Sequence, residues 1–230
     1  MSGDLTNSIR EPAVICNHRI FSYIVTHDSG YSPNPFHGVC TLACCKPQVR
    51  RQAEPGDLIL GLTGKARGHC LVYGMVVAEK MSFADYWHDD RFLAKRPDMA
   101  GDTVRRRGDN HYEPLPGGGY RQIPSRHSNK DDHGENPKTK ARDLGPDLDN
   151  PVLVGGRFCY FGRDAKELQS GLEFLIVGRG HRSNFTPEQI QAARAWFESL
   201  TPGRHGKPHK WPVEDQPPQE PSPPRRGCCR

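Results

Sequence analysis

Residues 45–80 read CKPQVRRQAEPGDLILGLTGKARGHCLVYGMVVAEK and show the clearest structural pattern in the chain. Within them, a turn at 54–57 that contains Pro and Gly precedes the apolar run Leu58–Leu62. A short basic loop at 65–68 leads to a second apolar run at 70–78. Two β-rich runs on either side of a Gly-containing loop are typical of a β-hairpin. We therefore predict a hairpin here, around which the rest of the fold is built.

The length and charge of the chain limit the classes of protein to consider. Its 230 residues suffice for one large domain, and its net charge of +5 mildly favours a polyanionic partner. No apolar run approaches the ~18 residues of a membrane-spanning helix, and the first residues show no secretory signal pattern. We therefore expect a cytoplasmic protein that does not bind membranes and whose eight cysteines are reduced thiols.

Further segments show strand or helix patterns. Strands are predicted at 19–26, 39–43, 151–154, 157–161 and 174–178. A helical turn is expected at 48–53 with Arg50 and Arg51 facing outward, and a short helix is expected after Ser82 as its N-cap. Thr186 and Gln189 fit a capping box, which predicts that the last helix begins between them.

Two segments lack any periodic apolar pattern. Residues 99–150 are rich in charged residues, Asn, His and Gly; such a segment cannot bury enough apolar surface to fold alone. We predict a long irregular insertion there, partly disordered, and long loops of this kind are often functional. Residues 213–230 are Pro-rich and are expected to form a disordered tail. This leaves a single domain at 19–212.

The order and spacing of several motifs resemble a known family. SFADYW at 82–87, RF-x-x-K-RP at 91–97 and VLVGGRFCYFG at 152–162 follow the hairpin. Upstream, D-x-G-x-x-P-N-P begins at residue 28 and TLACCKP at residue 41. Together these motifs resemble the PUA-like superfamily, which includes the EVE, ASCH and YTH domains. The resemblance is closest to the nucleotide modification associated domain family, type two.

The resemblance implies both a fold and a function. The fold would be α+β, with a small mixed β-barrel and helices packed around it. Members of the superfamily typically read a nucleic acid and often hold a modified or flipped base in a pocket at the barrel mouth. The family itself is associated with phage and bacterial systems that modify nucleobases.

A flipped base needs an aromatic wall for stacking and hydrogen-bond partners for its polar edge. Candidates for the wall are Tyr23, Tyr31, Phe36 and Trp87. Candidates for reading the edge are Asn34 and Thr63, since an amide presents both a donor and an acceptor. For Tyr23 and Trp87 the alternative is strong, because aromatic residues at strand or helix spacing are commonly core residues.

Basic residues flank the same stretch and recur in a later loop. Candidates for holding phosphates are Lys46, Arg50, Lys65 and Arg67, with Arg179 and Arg182 in the sequence GRGHRSN at 178–184. A Gly-rich turn between a strand and a helix N-terminus suits an anion. The alternative is a solvated basic loop. We expect the loop at Asn34 and the loop at 178–184 to close over one barrel mouth.

Covalent catalysis and metal binding were weighed as further possibilities. Lys46 beside Cys45 would lower the pKa of the thiol, and His181 and Asp28 would then act as base and as acid or orienting group. Cys40 and Cys44 form a single loose pair, whereas zinc sites usually show two separated pairs of ligands. We therefore expect no metal site.

These patterns favour one function and leave two alternatives open. The leading hypothesis is a nucleic-acid-associated domain that recognises, or helps install, a modified nucleobase, with DNA favoured over RNA as the partner. The first alternative is an enzyme that modifies a free nucleotide or a DNA base with Asp28, Cys45 and His181. The second alternative is a protein-interaction module without a nucleotide site.

Overall fold

The computed structural model of the chain describes residues 18–125 and 135–212. Its strands are β1 (Ile20–Ile24), β2 (Cys40–Leu42), β3 (Leu58–Leu62), β4 (Leu71–Met81), β5 (Tyr112–Pro114), β6 (Tyr120–Gln122), β7 (Val152–Tyr160), β8 (His181–Arg182) and β9 (Gly203–Arg204). Its helices are α1 (Pro47–Gln52), α2 (Phe83–His88), α3 (Pro137–Leu144) and α4 (Pro187–Ser199). The predicted tail at 213–230 lies outside the described residues.

Seven strands form one mixed sheet in the order β2-β7-β4-β3-β1-β8, with β9 paired to β7 beside this path. The predicted hairpin is confirmed, since β3 and β4 are antiparallel neighbours at the centre of the sheet. β1 and β3 pair in parallel. The α+β class is confirmed, but the expected closed barrel is wrong. Among the described strands, the end strands β2 and β8 have three and two residues and pair only with β7 and β1.

The central strands are buried on both faces of the sheet. Along β3 the side chains alternate, so that Leu58, Leu60 and Leu62 pack on the face covered by α4, while Ile59 packs on the other face. This double burial explains the continuous apolar run in the sequence. The opposite face is covered in part by α1, whose Val49 joins the same cluster as Ile59.

The insertion at 99–150 contains more regular structure than the sequence predicted. It holds the hairpin β5–β6 and helix α3, and residues 126–134 lie outside the described part. Tyr112 and Leu144 are fully buried in a third apolar cluster with Phe83 and Tyr86 of α2. The segment has no apolar period of its own, but it folds because a few of its side chains complete a core supplied by α2 and β7.

The predicted helix caps are confirmed, whereas one predicted strand is absent from the described residues. Ser82 caps α2, and Thr186 and Gln189 form the predicted capping box at α4. The strands expected at 151–154 and 157–161 are one strand, β7, paired with β4 across register shifts near Gly155. The strand predicted at 174–178 is wrong. The segment forms a 3₁₀ turn, and the carbonyl of Leu175 accepts from the Ser22 hydroxyl at 2.6 Å.

A row of residues in register crosses the sheet from strand to strand, and we call it the transverse row. The row consists of His181, Tyr23, Gly61, Tyr73, Tyr160 and Arg204, one from each of β8, β1, β3, β4, β7 and β9. Gly61 is the one member without a side chain. A Cβ at this position would lie 2.4 Å from the Tyr73 ring. The glycine therefore leaves room for Tyr73 to reach Tyr23, and the two hydroxyls lie 2.5 Å apart.

Replacing Gly61 with Ala should destabilise the protein, because the added methyl overlaps Tyr73 and Val25 in a fully packed row. We expect the free energy of unfolding to fall by about 1–3 kcal/mol, the usual cost of overpacking. Chemical denaturation followed by fluorescence measures this change.

Gly64→Ala is the matched control, three residues away. Its backbone is extended (φ −71°, ψ 172°), and the nearest atom to a Cβ lies at 3.9 Å. Alanine there should leave stability unchanged or raise it by about 0.4–1 kcal/mol, because it restricts the unfolded chain. Equal stability of the two variants would contradict the assigned role of Gly61.

Candidate functional site

A cavity of about 320 Å³ lies where the parallel strands β1 and β3 end. The carboxyl ends of parallel strands meet at one edge of a sheet, and the segments that follow them form a crevice suited to ligands. Here those segments supply Thr26, Asp28, Thr63 and Arg67, and the chain after β9 supplies His209 and Lys210. We call this the strand-end cavity. Its size is at the lower end for small-molecule sites.

Asp28 is the buried acid of the strand-end cavity. Its Oδ1 accepts a hydrogen bond from the Tyr160 hydroxyl at 2.5 Å, and its Oδ2 accepts from the backbone N–H of His209 at 2.8 Å. Burial raises the pKa of Asp28, and these two hydrogen bonds oppose that rise because they stabilise the carboxylate. The cavity therefore contains a carboxyl group that holds its proton to a higher pH than an exposed aspartate does.

Thr63 and Arg67 also line the strand-end cavity. The sequence analysis proposed both for one ligand site, Thr63 at the base edge and Arg67 at a phosphate. The Thr63 hydroxyl donates to the carbonyl of Arg67 at 2.9 Å and accepts from the backbone N–H of Cys70 at 2.8 Å. Its only donor is thus used in shaping the turn, which leaves at most one acceptor for the edge-reading role predicted for it. Arg67 is half-buried and uses one Nη2 contact, to the carbonyl of Arg163 at 3.0 Å.

Tyr23, Lys46 and His181 meet on the face of the sheet that carries the transverse row. The Lys46 ammonium lies 4.3 Å from the centroid of the Tyr23 ring and donates to the carbonyl of Ile24 at 3.2 Å. Burial lowers the pKa of Lys46, and burial together with this nearby cation lowers the pKa of His181. Tyr23 is only 1% exposed. The ring predicted to stack on a base is therefore covered by Lys46.

The proposed activation of Cys45 is wrong. Burial, followed by the nearby carboxylate of Asp143, raises the pKa of the Cys45 thiol, and the cations of Arg142 and Arg50 only partly offset this. The backbone at Cys45 has φ 58°, and its N–H donates to Asp143 Oδ1 at 2.9 Å. A thiol in this environment is protonated at neutral pH and is a poor nucleophile.

Arg50 and Asn34 are buried structural residues, which corrects both predictions. Arg50 was expected outward and on a phosphate, but its Nε, Nη1 and Nη2 donate to the carbonyls of Cys45, Pro151 and Asp143. Asn34 Oδ1 accepts from the Lys95 ammonium at 2.9 Å, and its Nδ2 donates to the carbonyl of Arg107 at 3.1 Å. Both side chains are also buried, with Arg50 0% and Asn34 1% exposed, so neither is presented to a ligand.

The remaining basic and aromatic candidates lie apart from the strand-end cavity. Trp87 is covered by the Arg96 guanidinium, 4.0 Å from a ring centroid. Lys65 and Arg179 are exposed and line none of its walls. Arg182 adjoins His181 in β8 and therefore faces the other side of the sheet, where its Nη1 donates to the carbonyl of Phe174 at 3.1 Å.

The expected convergence of two loops over one mouth is also wrong. Asn34 forms a bridge with Thr41 in β2, whereas His181 lies in β8. These strands are the two ends of the strand order, with β7, β4, β3 and β1 between them. The segment that faces Asp28 instead is the chain after β9, through His209.

Comparison with known proteins adds the family to this geometry. The family described as nucleotide modification associated domain 2 matches the chain over residues 17–215. The chain belongs to this family. No curated protein and no solved structure matches it. Within the described part of this family member, no helix has the length and apolar character needed to cross a membrane.

One buried group in this family member has the donor atoms of a metal site, and the sequence analysis did not find it. Cys44, His111 and Asp143 each place one ligand atom within 4.8 Å of the others. A thiolate, an imidazole and a carboxylate are zinc ligands. The Tyr31 hydroxyl, however, lies 2.7 Å from His111 Nε2 and 3.0 Å from Cys44 Sγ. The group is arranged as a hydrogen-bonded cluster, and the absence of a metal stays a prediction.

The sequence analysis also missed Tyr73, Tyr160, His209 and Lys210. The two tyrosines lie in predicted strands, but only the register across β4 and β7 shows that they share a row with Tyr23. His209 and Lys210 lie between Gly and Pro residues without a periodic pattern. No local signal links them to Asp28, whose carbonyl accepts from the Lys210 backbone N–H at 2.8 Å.

Replacing Tyr160 with Phe should raise the pKa of Asp28 further, because it removes a hydrogen bond that stabilises the carboxylate. A raised pKa means that the folded state keeps a proton that the unfolded state has lost. The free energy of unfolding therefore falls as pH rises from the unfolded pKa of about 3.9 through the folded one, and the variant widens this interval.

Carbon-detected NMR titration of the aspartate carboxyl groups measures this pKa directly. Tyr73→Phe is the control, because the Tyr73 hydroxyl is paired with Tyr23 and not with Asp28. It should leave the pKa of Asp28 near its wild-type value. A Tyr160→Phe variant with an unchanged or lower Asp28 pKa would contradict the assigned hydrogen bond.

Proposed function

We propose that this domain is associated with nucleic acid and recognises, or helps install, a modified nucleobase, and that the strand-end cavity holds the base. The observation that carries the proposal is the juxtaposition of Asp28 with Arg67 and Lys210 around one cavity in a member of a nucleotide-modification family. A protonated or ionised carboxyl group recognises the polar edge of a base, and the cations suit its phosphate. The PUA-like relationship stays a prediction and is not needed for this proposal.

The division of charge within the strand-end cavity supports a nucleotide rather than a neutral ligand. Asp28 is only 4% exposed, whereas Lys210 is exposed and its Nζ lies 2.6 Å from His27 Nδ1. The carboxyl group of Asp28 is thus in the buried part of the cavity, and the ammonium of Lys210 is at its solvent-exposed part. A nucleotide has the complementary arrangement, because its base carries hydrogen-bond donors and its phosphate stays near solvent.

Arg67→Ala tests this site, with Lys65→Ala as a matched control from the same basic turn. Both variants remove one positive charge, but only Arg67 lines the cavity. We expect Arg67→Ala to weaken the binding of 2′-deoxynucleoside 5′-monophosphates by about tenfold, and Lys65→Ala to change it little. Isothermal titration calorimetry at low salt gives both affinities.

Thermal melting of each variant shows that the fold is retained. Equal weakening by the two variants would indicate a diffuse basic surface and would contradict the cavity. No binding of any monophosphate or single-stranded DNA by the wild-type protein at low salt would overturn the nucleotide function and favour an interaction module.

A second candidate function is chemical modification of the base by this chain itself. It is favoured by the raised pKa of Asp28, because a carboxyl group that titrates nearer to neutrality is a better general acid or base. The covalent form of this hypothesis is not favoured, since burial raises the pKa of Cys45. The enzyme would act by proton transfer at Asp28, with Cys45 as a structural residue.

Mass spectrometry of nucleotides and DNA after incubation with the protein distinguishes these forms. If the chain modifies a base through Asp28, Asp28→Asn should abolish the mass change, and Cys45→Ser should retain most of it. Loss of conversion in a folded Cys45→Ser variant would instead restore the covalent mechanism. Unchanged masses with intact binding would assign the domain to recognition alone.

A further inference from the structure

A second and larger cleft is lined by the beginning of the chain segment whose end lines the strand-end cavity. Its volume is about 730 Å³, and its walls include Phe36, Phe158, Arg105 and Arg204. We call it the flanking cleft. Residues 202–204 line the flanking cleft, and His209 and Lys210 line the strand-end cavity, so one short segment contributes to both.

Tyr160 connects the two sites directly. Its hydroxyl donates to Asp28 in the strand-end cavity, while its backbone pairs in register with Arg204, which lines the flanking cleft. From Arg204 to His209 the chain advances five residues, which spans at most about 18 Å. Both sites are therefore within reach of one short stretch of single-stranded nucleic acid, since comparable sites take about 4–16 nucleotides.

The flanking cleft has the chemistry of a surface that follows a nucleic acid strand. Phe36 and Phe158 supply an apolar floor, and the Arg204 guanidinium lies 5.5 Å from the centroid of the Phe36 ring. A guanidinium presents a flat face on which a base stacks and donors that bind phosphate. Arg105 adds a second exposed cation, whose ion pair with Asp98 at 3.4 Å is exposed and therefore weak.

A buried lysine and an exposed arginine lie near His37 in the wall of the flanking cleft. Lys95 is fully buried and donates to the carbonyls of Asn34 and Val39, on either side of the loop that carries Phe36 and His37. Burial lowers the pKa of His37 in the cleft wall, and Lys95 and Arg105 lower it further, whereas Asp102 opposes them. Asp102 is the acid in this wall, and its carboxylate accepts from the Arg105 backbone N–H at 2.8 Å.

We propose that the ligand is single-stranded DNA, with one base in the strand-end cavity and the neighbouring nucleotides in the flanking cleft. This inference rests on the proposed function and specifies its substrate class as a polynucleotide rather than a free mononucleotide. Arg204 distinguishes a polynucleotide ligand from a mononucleotide, because it lines the flanking cleft and does not line the strand-end cavity.

The test compares 2′-deoxynucleoside 5′-monophosphates with mixed-sequence single-stranded DNA of about six nucleotides. The wild-type protein should bind the oligonucleotide at least about tenfold more tightly. Arg204→Ala should remove most of that gain, lower the salt dependence of oligonucleotide binding by about one charge, and leave monophosphate binding unchanged. Arg67→Ala should weaken both ligands.

Arg121→Ala is the matched control, because it removes the same charge from an exposed arginine that lines neither site. Arg121→Ala should leave the tighter binding of the oligonucleotide unchanged. If Arg204→Ala lowers the melting temperature, Arg105→Ala is the second variant for the same cleft. It should likewise remove most of the difference in affinity between the oligonucleotide and the monophosphates.

The outcomes separate this inference from the function on which it rests. Equal affinity for monophosphates and oligonucleotides, with no effect of Arg204→Ala, overturns the polynucleotide inference and leaves the base site standing. Both the base site and the polynucleotide inference are supported if Arg67→Ala weakens the binding of both ligands and Arg204→Ala removes the tighter binding of the oligonucleotide. A gain for an RNA oligonucleotide alone overturns the choice of DNA.

Discussion

The hydrogen bond between the Tyr160 hydroxyl and the Asp28 carboxyl group links the core of the sheet to the candidate site. Tyr160 is fully buried in β7, and Asp28 lies in the segment after β1. A buried carboxyl group without partners would cost several kcal/mol. The bond therefore fixes where the chain after β1 runs. Because the backbone of His209 donates to the same carboxyl group, it also fixes the segment that closes the cavity.

This bond depends in turn on the packing of the transverse row. Tyr73 pairs with Tyr160 in register, and its ring occupies the space that a side chain at residue 61 would fill. A glycine in the middle of a strand is normally unfavourable because it costs conformational entropy. Here it leaves room for the Tyr73 ring, whose hydroxyl pairs with Tyr23, while the neighbouring Tyr160 directs its hydroxyl toward Asp28. The loop residue Asp28 is thus held by a side chain from a rigid strand, which positions it more precisely than another loop would.

The sequence predicted the features that local interactions determine. The hairpin β3–β4 and the caps at Ser82 and Thr186 follow from residues within a few positions of one another. Asp28, Thr63 and Arg67 were identified as site candidates, and the structure gathers them around one cavity. His209 and Lys210 contact Asp28 and His27 from about 180 positions away in the chain, and no local pattern records that contact.

The same distinction explains the polar residues that sequence reasoning placed at a ligand. Arg50 and Asn34 lie in polar segments and look available, but their partners come from Asp143 and Lys95, far away in the sequence. The insertion at 99–150 supplies several of these partners, which is why it is part of the core despite its composition. A buried cation whose donors are all satisfied by carbonyl oxygens is a structural residue.

Among the arginines of this fold, availability after internal hydrogen bonding is therefore the criterion that separates candidate ligand-binding residues from structural ones. Arg50 is buried with its Nε and both terminal nitrogens bound, whereas Arg204 is exposed and rests its guanidinium on an aromatic ring. The first stabilises the turn after β2, and the second can exchange solvent for a phosphate at little cost. Arg204 and Lys210, at the two ends of the segment 204–210, join Arg67 and Arg105 as the cations proposed to face a ligand. We propose that the short chain after β9, together with Arg67 from the hairpin loop, joins the fold to its function.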